Sequence, residues 1–154
     1  MGGRIGFAIA RYAPDRFDSL ILGGGSPYPQ AQGGPDRMLD ALKQGAAAIP
    51  SIWGIAEPPE LIARLVKNDA EALIACRTNA LQSPGFSEIL PSMTMPCLLF
   101  AGEADPVCEE NRRCIRSMPN VTFFSLPALG HVDALIRSDL VLPYIKQFLA
   151  TVAR

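Results

Sequence analysis

Apolar residues along this chain dominate three short runs, which are separated by longer segments in which they recur at helical spacing. The runs lie at 17–22, 96–101 and 121–126, and the first leads directly into the glycines at 23–25. Mostly apolar runs of this length are typical of strands that are buried on both faces. The pattern therefore predicts three core strands.

Helical spacing predicts a helix beside each strand and further helices between the first two strands. The helices beside the strands are expected at 4–13, 107–117 and 133–152, and the others at 36–45, 59–67 and 69–81, with a turn at 86–91. Asn68 is the expected N-cap of the helix that begins at 69, and Asp133 is the expected cap or first-turn acid of the last helix. Strands that alternate with helices indicate an α/β protein whose parallel sheet is covered on both faces.

Residues 26–94 differ from the segments on either side, because proline and glycine are frequent there and no strand is predicted. We expect residues 1–25 and 95–154 to form one sheet-containing core and residues 26–94 to form a helical insertion. The expected fold class is α/β, with three parallel strands, flanking helices and this insertion.

Composition and charge exclude several classes of function. The 154 residues are 49% hydrophobic and 19% charged, with a net charge of −1, which is typical of a soluble globular protein with one core. No run of Lys and Arg indicates a nucleic-acid or membrane-surface partner. No apolar stretch approaches the ~18 residues that span a bilayer and no signal peptide is recognised, so a cytoplasmic location is expected. The four cysteines include no C-x-x-C pair and are expected to be reduced thiols.

The chemistry that the sequence indicates centres on Asp105 and His131. Because His131 is the only histidine, a metal site with several histidine ligands is excluded, and histidine is the residue type best suited to proton transfer near neutral pH. Asp105 follows the strand at 96–101, and His131 follows the strand at 121–126. Since the carboxyl ends of parallel strands meet at one edge of a sheet, both residues are expected on loops at that edge. Glu103, close to Asp105 in the sequence, is expected to be solvated.

This arrangement resembles the C-terminal half of the α/β-hydrolase family over essentially the whole chain. In that family a serine nucleophile, an acid and a histidine follow one another in chain order, and Asp105 and His131 match the acid and the base. The resemblance implies a partial α/β-hydrolase fold and acyl transfer by a Ser-His-Asp triad. It also implies that the insertion at 26–94 is the helical lid and that no cofactor is needed.

The nucleophile that the resemblance requires is not found in the expected motif. In the family the serine stands in a G-x-S-x-G turn between a strand and a helix. Met1, Gly2 and Gly3 look like the residues that follow this serine, which implies that the main-chain nitrogen of Met1 belongs to the oxyanion hole. Because the loss of a triad nucleophile lowers turnover by about six orders of magnitude, the chain is expected to be inactive alone.

Ser26 and Cys108 are the alternatives for a nucleophile within the chain. Ser26 precedes Pro27, which has no N–H to offer an oxyanion, and it stands at the wrong place in the order of elements. Cys108 would need a lowered pKa and His131 within reach. The ordinary interpretation is that Ser26 ends a strand and that Cys108 is a thiol at the start of a helix.

Trp53, Ile52 and Ile55 are candidates for the apolar wall of a pocket that takes a small, apolar, ester-like substrate. Packing within the lid explains them equally well, and both interpretations stay open. The strand at 17–22 is expected to lie at an exposed sheet edge, because by resemblance its other neighbour is missing from the sequence. Self-association of the chain through this edge, or marginal stability, is therefore expected.

Three functions remain open at this point. The first is that the chain is the C-terminal portion of an esterase-like serine hydrolase, cut short by a misplaced start or by the choice of boundaries. The second is that it is a non-catalytic remnant of a hydrolase that acts as a binding or interaction module. The third is that a separately encoded N-terminal half assembles with it and supplies the nucleophile.

Overall fold

The computed structural model describes residues 1–30, 34–55 and 58–152 of the chain. Its contacts divide the chain into two compact units, a sheet unit formed by residues 1–28 and 85–154 and a helical unit formed by residues 29–84. The sheet unit contains a parallel sheet with helices around it, which confirms the α/β class predicted from the sequence.

Eight α-helices and three strands lie in the part of the chain that the structure describes. The helices are α1 (Gly2–Tyr12), α2 (Arg37–Leu42), α3 (Ile49–Ile52), α4 (Pro59–Leu65), α5 (Ala70–Gln82), α6 (Val107–Cys114), α7 (His131–Ile136) and α8 (Ser138–Val152). The strands are β1 (Leu20–Gly23), β2 (Cys97–Gly102) and β3 (Val121–Leu126). Short 3-10 helices lie at Pro14–Arg16, Ala46–Ala48 and Ser87–Ser92. None of the helices in these described ranges is long and apolar enough to cross a membrane.

The three strands are parallel and lie in the order β1-β2-β3. β1 begins at Leu20, three residues later than the predicted start at 17. Leu20 pairs with Cys97, the first residue of β2, so residues 17–19 have no strand residue opposite them. The register with the neighbouring strand, and not the length of the apolar run, therefore sets where β1 begins.

Alternate residues of the strands belong to two hydrophobic cores, as the pleat of a sheet requires. One core joins Phe7 of α1 to Leu22 and Leu99 of the sheet and to Cys114 of α6. The other joins residues of β3 to α7 and α8, through Leu126, Ala134 and Val141. Helices thus cover the sheet from both faces, which explains why the strands are mostly apolar.

The last predicted helix, 133–152, is two helices in the structure. α7 begins at His131, where the Asp133 carboxylate accepts a hydrogen bond from the Gly130 N–H at 3.0 Å. The chain leaves helical geometry at Arg137, with φ −82° and ψ 60°, before α8 begins. His131 consequently stands in the first turn of a helix, whereas the sequence pattern predicted a loop.

The helical unit has its own small core of Leu42, Ala46 and Ile49 against residues of α5. The N-cap of α5 is Asp69, whose carboxylate accepts from Ala72 N–H at 3.1 Å. Asn68, the predicted cap, instead donates its amide to the main-chain oxygens of Arg64 and Leu65 at the end of α4. A side chain that closes one helix is thereby unavailable to open the next.

The helical unit is also shorter than the predicted insertion at 26–94. The structure assigns residues 26–28 and 85–94 to the sheet unit. Leu90 and Met93 are fully buried in the core that contains Phe7 and Leu99. The apolar residues of this segment follow neither strand nor helix periodicity, so the sequence did not indicate that they pack into the core of the sheet unit.

Asp36 is expected to stabilise the helical unit. Its carboxylate accepts hydrogen bonds from Leu39 N–H at 2.8 Å and from the Arg77 guanidinium at 2.6 and 3.0 Å. The hydrogen bond from Arg77 lowers the pKa of Asp36 below its ordinary value of 3.8, although burial opposes this. We predict that Asp36→Asn lowers the free energy of unfolding by about 1–2 kcal/mol at pH 7, because a largely buried charged hydrogen bond is lost.

Urea unfolding followed by fluorescence of Trp53, the only tryptophan and a residue of the helical unit, measures this effect. A carboxyl with a lowered folded-state pKa contributes stability above its unfolded pKa, and this stability is lost as the pH falls through the folded pKa. The difference between wild type and Asp36→Asn should therefore close below about pH 4. Asp40→Asn is the control, because Asp40 forms an exposed ion pair with Lys43. Equal destabilisation by both substitutions would contradict the prediction.

Candidate active site

Asp105 lies in a tight turn between β2 and α6. Its N–H donates to Gly102 O at 3.1 Å, and its main-chain oxygen accepts from Cys108 N–H at 2.9 Å. The carboxylate Oδ1 accepts from Val107 N–H at 3.0 Å. The turn therefore fixes a carboxyl group that is 5% exposed, with its second oxygen left for another donor.

That second donor is His131. Its Nδ1 lies 2.6 Å from Asp105 Oδ2, and the imidazole side chain is 49% exposed. An ionised carboxylate can only accept, so Nδ1 carries a proton, and the lone pair of a neutral ring is then on Nε2. The ring is thus anchored at one nitrogen and presents the other as a base.

The electrostatics of Asp105 favour the ionised form that this arrangement needs. Burial alone would raise the pKa of Asp105, but hydrogen bonds from the His131 ring and the Val107 N–H outweigh it. The net result is a pKa below the ordinary value of 3.8. Asp105 is therefore a carboxylate at neutral pH, held where an imidazolium would be stabilised.

Hydrogen bonds tie together the two loops that carry the pair. Glu103 N–H donates to Leu126 O at 2.9 Å, and Ala104 N–H donates to Leu129 O at 3.0 Å. Glu103, which we expected to be solvated, also accepts from the Ser125 hydroxyl at 2.7 Å while its side chain stays partly exposed. The separation between Asp105 and His131 is thus set by main-chain contacts between the ends of β2 and β3.

Met1 is the N-cap of α1, and its carbonyl accepts from Arg4 N–H at 3.1 Å. α1 begins beside the glycines that follow β1, because Gly3 and Gly25 are in main-chain contact: a methyl group at Gly3 would lie 2.4 Å from Gly25 Cα. The positive end of the α1 dipole therefore points to the same sheet edge as the strand ends. The role of Met1 in an oxyanion hole stays a prediction.

Ser26 and Cys108 have local roles. Ser26 Oγ accepts from Tyr28 N–H at 3.1 Å, which is the pattern of a turn-forming serine. Cys108 is 2% exposed, and burial raises the pKa of its thiol, which is the opposite of what a thiolate nucleophile needs. Neither residue has the environment of an activated nucleophile.

The three candidate pocket residues all lie in the helical unit. Ile52 and Trp53 are exposed, and Ile55 is half-buried. Ile52 borders an open depression lined otherwise by Arg37, Asp40, Ala41, Gln44 and Ser51. Their role as a pocket wall stays a prediction, and packing within the lid stays the alternative.

Two features of the site were missed in the sequence. Gly102, at the end of β2, faces the main chain of Leu129, and Gly25, after β1, contacts Gly3 of α1. A glycine at a strand end is visible in the sequence, but the sequence does not show which distant residue lies beside it.

Among the described residues no group of His, Cys, Asp and Glu could hold a metal ion.

Solved structures with the same fold include three enzymes named as hydrolases of esters or lactones. An esterase from Thermogutta terrifontis has a TM-score of 0.76 at 22% identity, over 99% of this chain and 63% of its own. An enol-lactonase from Burkholderia xenovorans has a TM-score of 0.77 at 20% identity, over 97% and 63%. A structure from work on carboxylesterases of Nitrososphaera gargenis has a TM-score of 0.82 at 19% identity, over 98% and 62%. No protein-family model and no curated protein matches the chain.

The chain has the α/β-hydrolase fold. It spans 62% or 63% of the length of these three solved structures, so it corresponds to part of that fold. The resemblance stated from the sequence is thereby confirmed at the level of fold. Within the α/β-hydrolase fold, Asp105 and His131 lie just beyond the carboxyl ends of two adjacent strands, where ligands of open α/β sheets bind.

Proposed function

We propose that this chain carries the acid and the base of an esterase-like serine hydrolase. The observation that supports this most directly is the 2.6 Å hydrogen bond between His131 Nδ1 and the buried Asp105 carboxylate, with the rest of the ring half exposed. Here one nitrogen is oriented by a buried charge while the ring reaches solvent, which is how a general base is held.

The chemistry follows from the orientation of the ring. His131 Nε2 accepts the proton of a serine hydroxyl as its oxygen attacks the acyl carbon of an ester. Asp105 stays ionised and stabilises the imidazolium without taking the proton. His131 then donates that proton to the leaving alkoxide, and the same two steps with water in place of the serine release the acid.

The serine of this proposal is not one of the 154 residues. Met1 would follow it directly, so that the main-chain nitrogen of Met1 and the N-terminal end of α1 would face the developing oxyanion. The contact between Gly3 and Gly25 supports this, because it holds the start of α1 beside the loop that follows β1. The chain alone then has a base and an acid but no group to form an acyl-enzyme.

The substrate that we propose is small, apolar and ester-like. Exposed Ile52 and Trp53, with half-buried Ile55, would provide the apolar wall of its pocket. The names of the solved structures with this fold, an esterase and an enol-lactonase among them, are consistent with a carboxylic ester or lactone.

Labelling by a serine-directed fluorophosphonate probe tests the proposal. We expect the 154-residue chain to remain unlabelled. In-frame codons for Gly-x-Ser are expected immediately upstream of the Met1 codon, and the polypeptide that includes them should be labelled. The same extended polypeptide with His131→Gln is the control, because its serine would lack a base and should react far more slowly.

A stop codon directly before the Met1 codon would overturn the hypothesis that a misplaced start has cut the chain short. Purification from the natural source then separates the two remaining functions. A smaller partner that contains G-x-S and takes up the probe would indicate a nucleophile supplied by a second chain. A natural protein of 16.5 kDa with no partner and no labelling would favour a binding module, for which β1, at the edge of the described sheet, is a candidate surface.

A further inference from the structure

Gly24 lies directly against the ring of His131. A methyl group at Gly24 would lie 2.9 Å from His131 Cε1, 3.1 Å from Nδ1 and 3.8 Å from Asp105 Oδ2. The first distance is shorter than real side-chain contacts allow, so only glycine fits with the ring where it is. The edge of the imidazole that faces Asp105 is therefore also covered by the main chain of Gly24.

The main chain of Gly24 is itself held in place. Its N–H donates to Phe100 O at 2.9 Å, which continues the pairing of β1 with β2 by one residue. Its φ of +56° is in the left-handed region that favours glycine. The next residue, Gly25, is in main-chain contact with Gly3 of α1. A sheet hydrogen bond on one side and a helix on the other thus fix the position of Gly24.

The hydrogen bond to Asp105 fixes only one atom of the His131 ring. Half of the side chain is exposed, so this bond alone leaves the ring free to tilt about Nδ1. The main chain of Gly24 approaches Cε1, the atom between the two nitrogens, too closely to leave room for a methyl group. This close approach restricts the tilt of the ring and thereby the direction of Nε2. General-base catalysis depends on this direction, since a displacement of about 1 Å can lower the rate 10²-fold.

We infer that Gly24 is a positioning residue for His131, which keeps Nδ1 on Asp105 and orients Nε2 by the close approach of its main chain. The catalytic meaning of this inference rests on the function proposed above. The contact itself does not, and it can be measured without turnover.

NMR spectroscopy of the 154-residue chain tests the contact, because a single histidine gives a single set of ring resonances. In wild type we expect a low-field Nδ1–H resonance from the bond to Asp105, and a nuclear Overhauser effect between the Gly24 Hα protons and His131 Hε1. Gly24→Ala should shift or broaden the Nδ1–H resonance, because the added methyl group displaces the ring from the carboxylate.

Gly54→Ala is the matched control. Gly54 has a φ of +64°, and no heavy atom of the described residues lies within 4 Å of an added methyl group, so this substitution brings the same backbone penalty without a new contact among them. It should leave the ring resonances unchanged. Asp105→Asn should remove the low-field resonance and so identifies it. A folded Gly24→Ala protein with the wild-type Nδ1–H resonance would overturn the inference. If that variant does not fold, absence of the Overhauser effect in wild type would overturn it equally.

Kinetics of the extended polypeptide that carries a serine nucleophile separate this inference from the proposed function. Gly24→Ala should lower kcat by about 10–100-fold with little change in KM, since the base is misoriented and the pocket is untouched. An equal kcat for the extended polypeptide with and without Gly24→Ala would count against the positioning role of Gly24. If no polypeptide hydrolyses an ester, the proposed function fails, while the resonances still decide whether Gly24 positions the ring.

Discussion

His131→Gln is expected to lower kcat for a short-chain ester by about 10⁶-fold, and Asp105→Asn by about 10⁴-fold, in the polypeptide that joins this chain to its serine nucleophile. The first removes the base. The second leaves the ring in place but turns the acceptor at Oδ2 into a group that no longer stabilises an imidazolium. Because Asp105 acts only through His131, the double variant should be no slower than His131→Gln alone. Initial rates over a range of ester concentrations measure all three.

Glu103→Gln is the control for these variants. Glu103 stands two residues before Asp105 and accepts from Ser125, but its side chain is exposed. Among the described residues it is Asp105 that bonds the ring. Its substitution should change kcat less than about tenfold, as expected for a surface residue outside the triad. An Asp105→Asn rate within tenfold of wild type would show that the 2.6 Å contact is structural only. Additive losses in the double variant would contradict a shared role.

The positions of Asp105 and His131 could be predicted because each comes after a strand with a strong signal. β2 and β3 are covered by helices on both faces, so they are mostly apolar and their ends are easily found. Parallel pairing then places the residues beyond the ends of both strands at one edge, whatever the details of the loops. This much of the site depends only on topology and on two residue types.

The local geometry of the site could not be predicted in the same way. The Gly130 N–H donates to the Asp133 carboxylate, and this bond starts α7 at His131. Because the bond uses the main chain of Gly130, the residue type gives no sign of it. Phe17 extends the apolar run, yet it is partly exposed and outside β1, because pairing with Cys97 begins only at Leu20. The local pattern of apolar residues predicts that a strand or helix is present. Where it begins and ends depends on the neighbouring element that pairs with it.

The contacts that hold the site together are even less visible in a linear pattern. Gly24 faces His131, and Gly102 faces Leu129. Each partner is far along the chain, so a glycine at a strand end gives no indication of which group fills the space beside it. The three-dimensional reason for these glycines is the close approach of main chain to main chain or to the His131 ring.

Gly102→Ala is expected to destabilise the sheet unit by about 3 kcal/mol and to separate His131 from Asp105. An added methyl group would lie 2.1 Å from Leu129 O, 2.6 Å from Leu129 C and 2.8 Å from Gly130 O. All three atoms are main chain, so no rotamer change relieves the clash, and either the end of β2 or the loop before α7 must move. Either movement strains the hydrogen bond from Ala104 to Leu129 and shifts the residue that precedes His131.

Urea unfolding followed by far-UV circular dichroism measures the loss of stability, and the Nδ1–H resonance of His131 measures the loss of the bond to Asp105. Gly2→Ala is the matched control, since nothing lies within 4 Å of an added methyl group in the first turn of α1. Its free energy of unfolding should stay within about 1 kcal/mol of wild type, with any change in the stabilising direction because alanine favours helix. If Gly102→Ala were as stable as wild type and kept the resonance, the loops after β2 and β3 would adapt independently. The main-chain contacts between these two loops would then not be what sets the distance between Asp105 and His131.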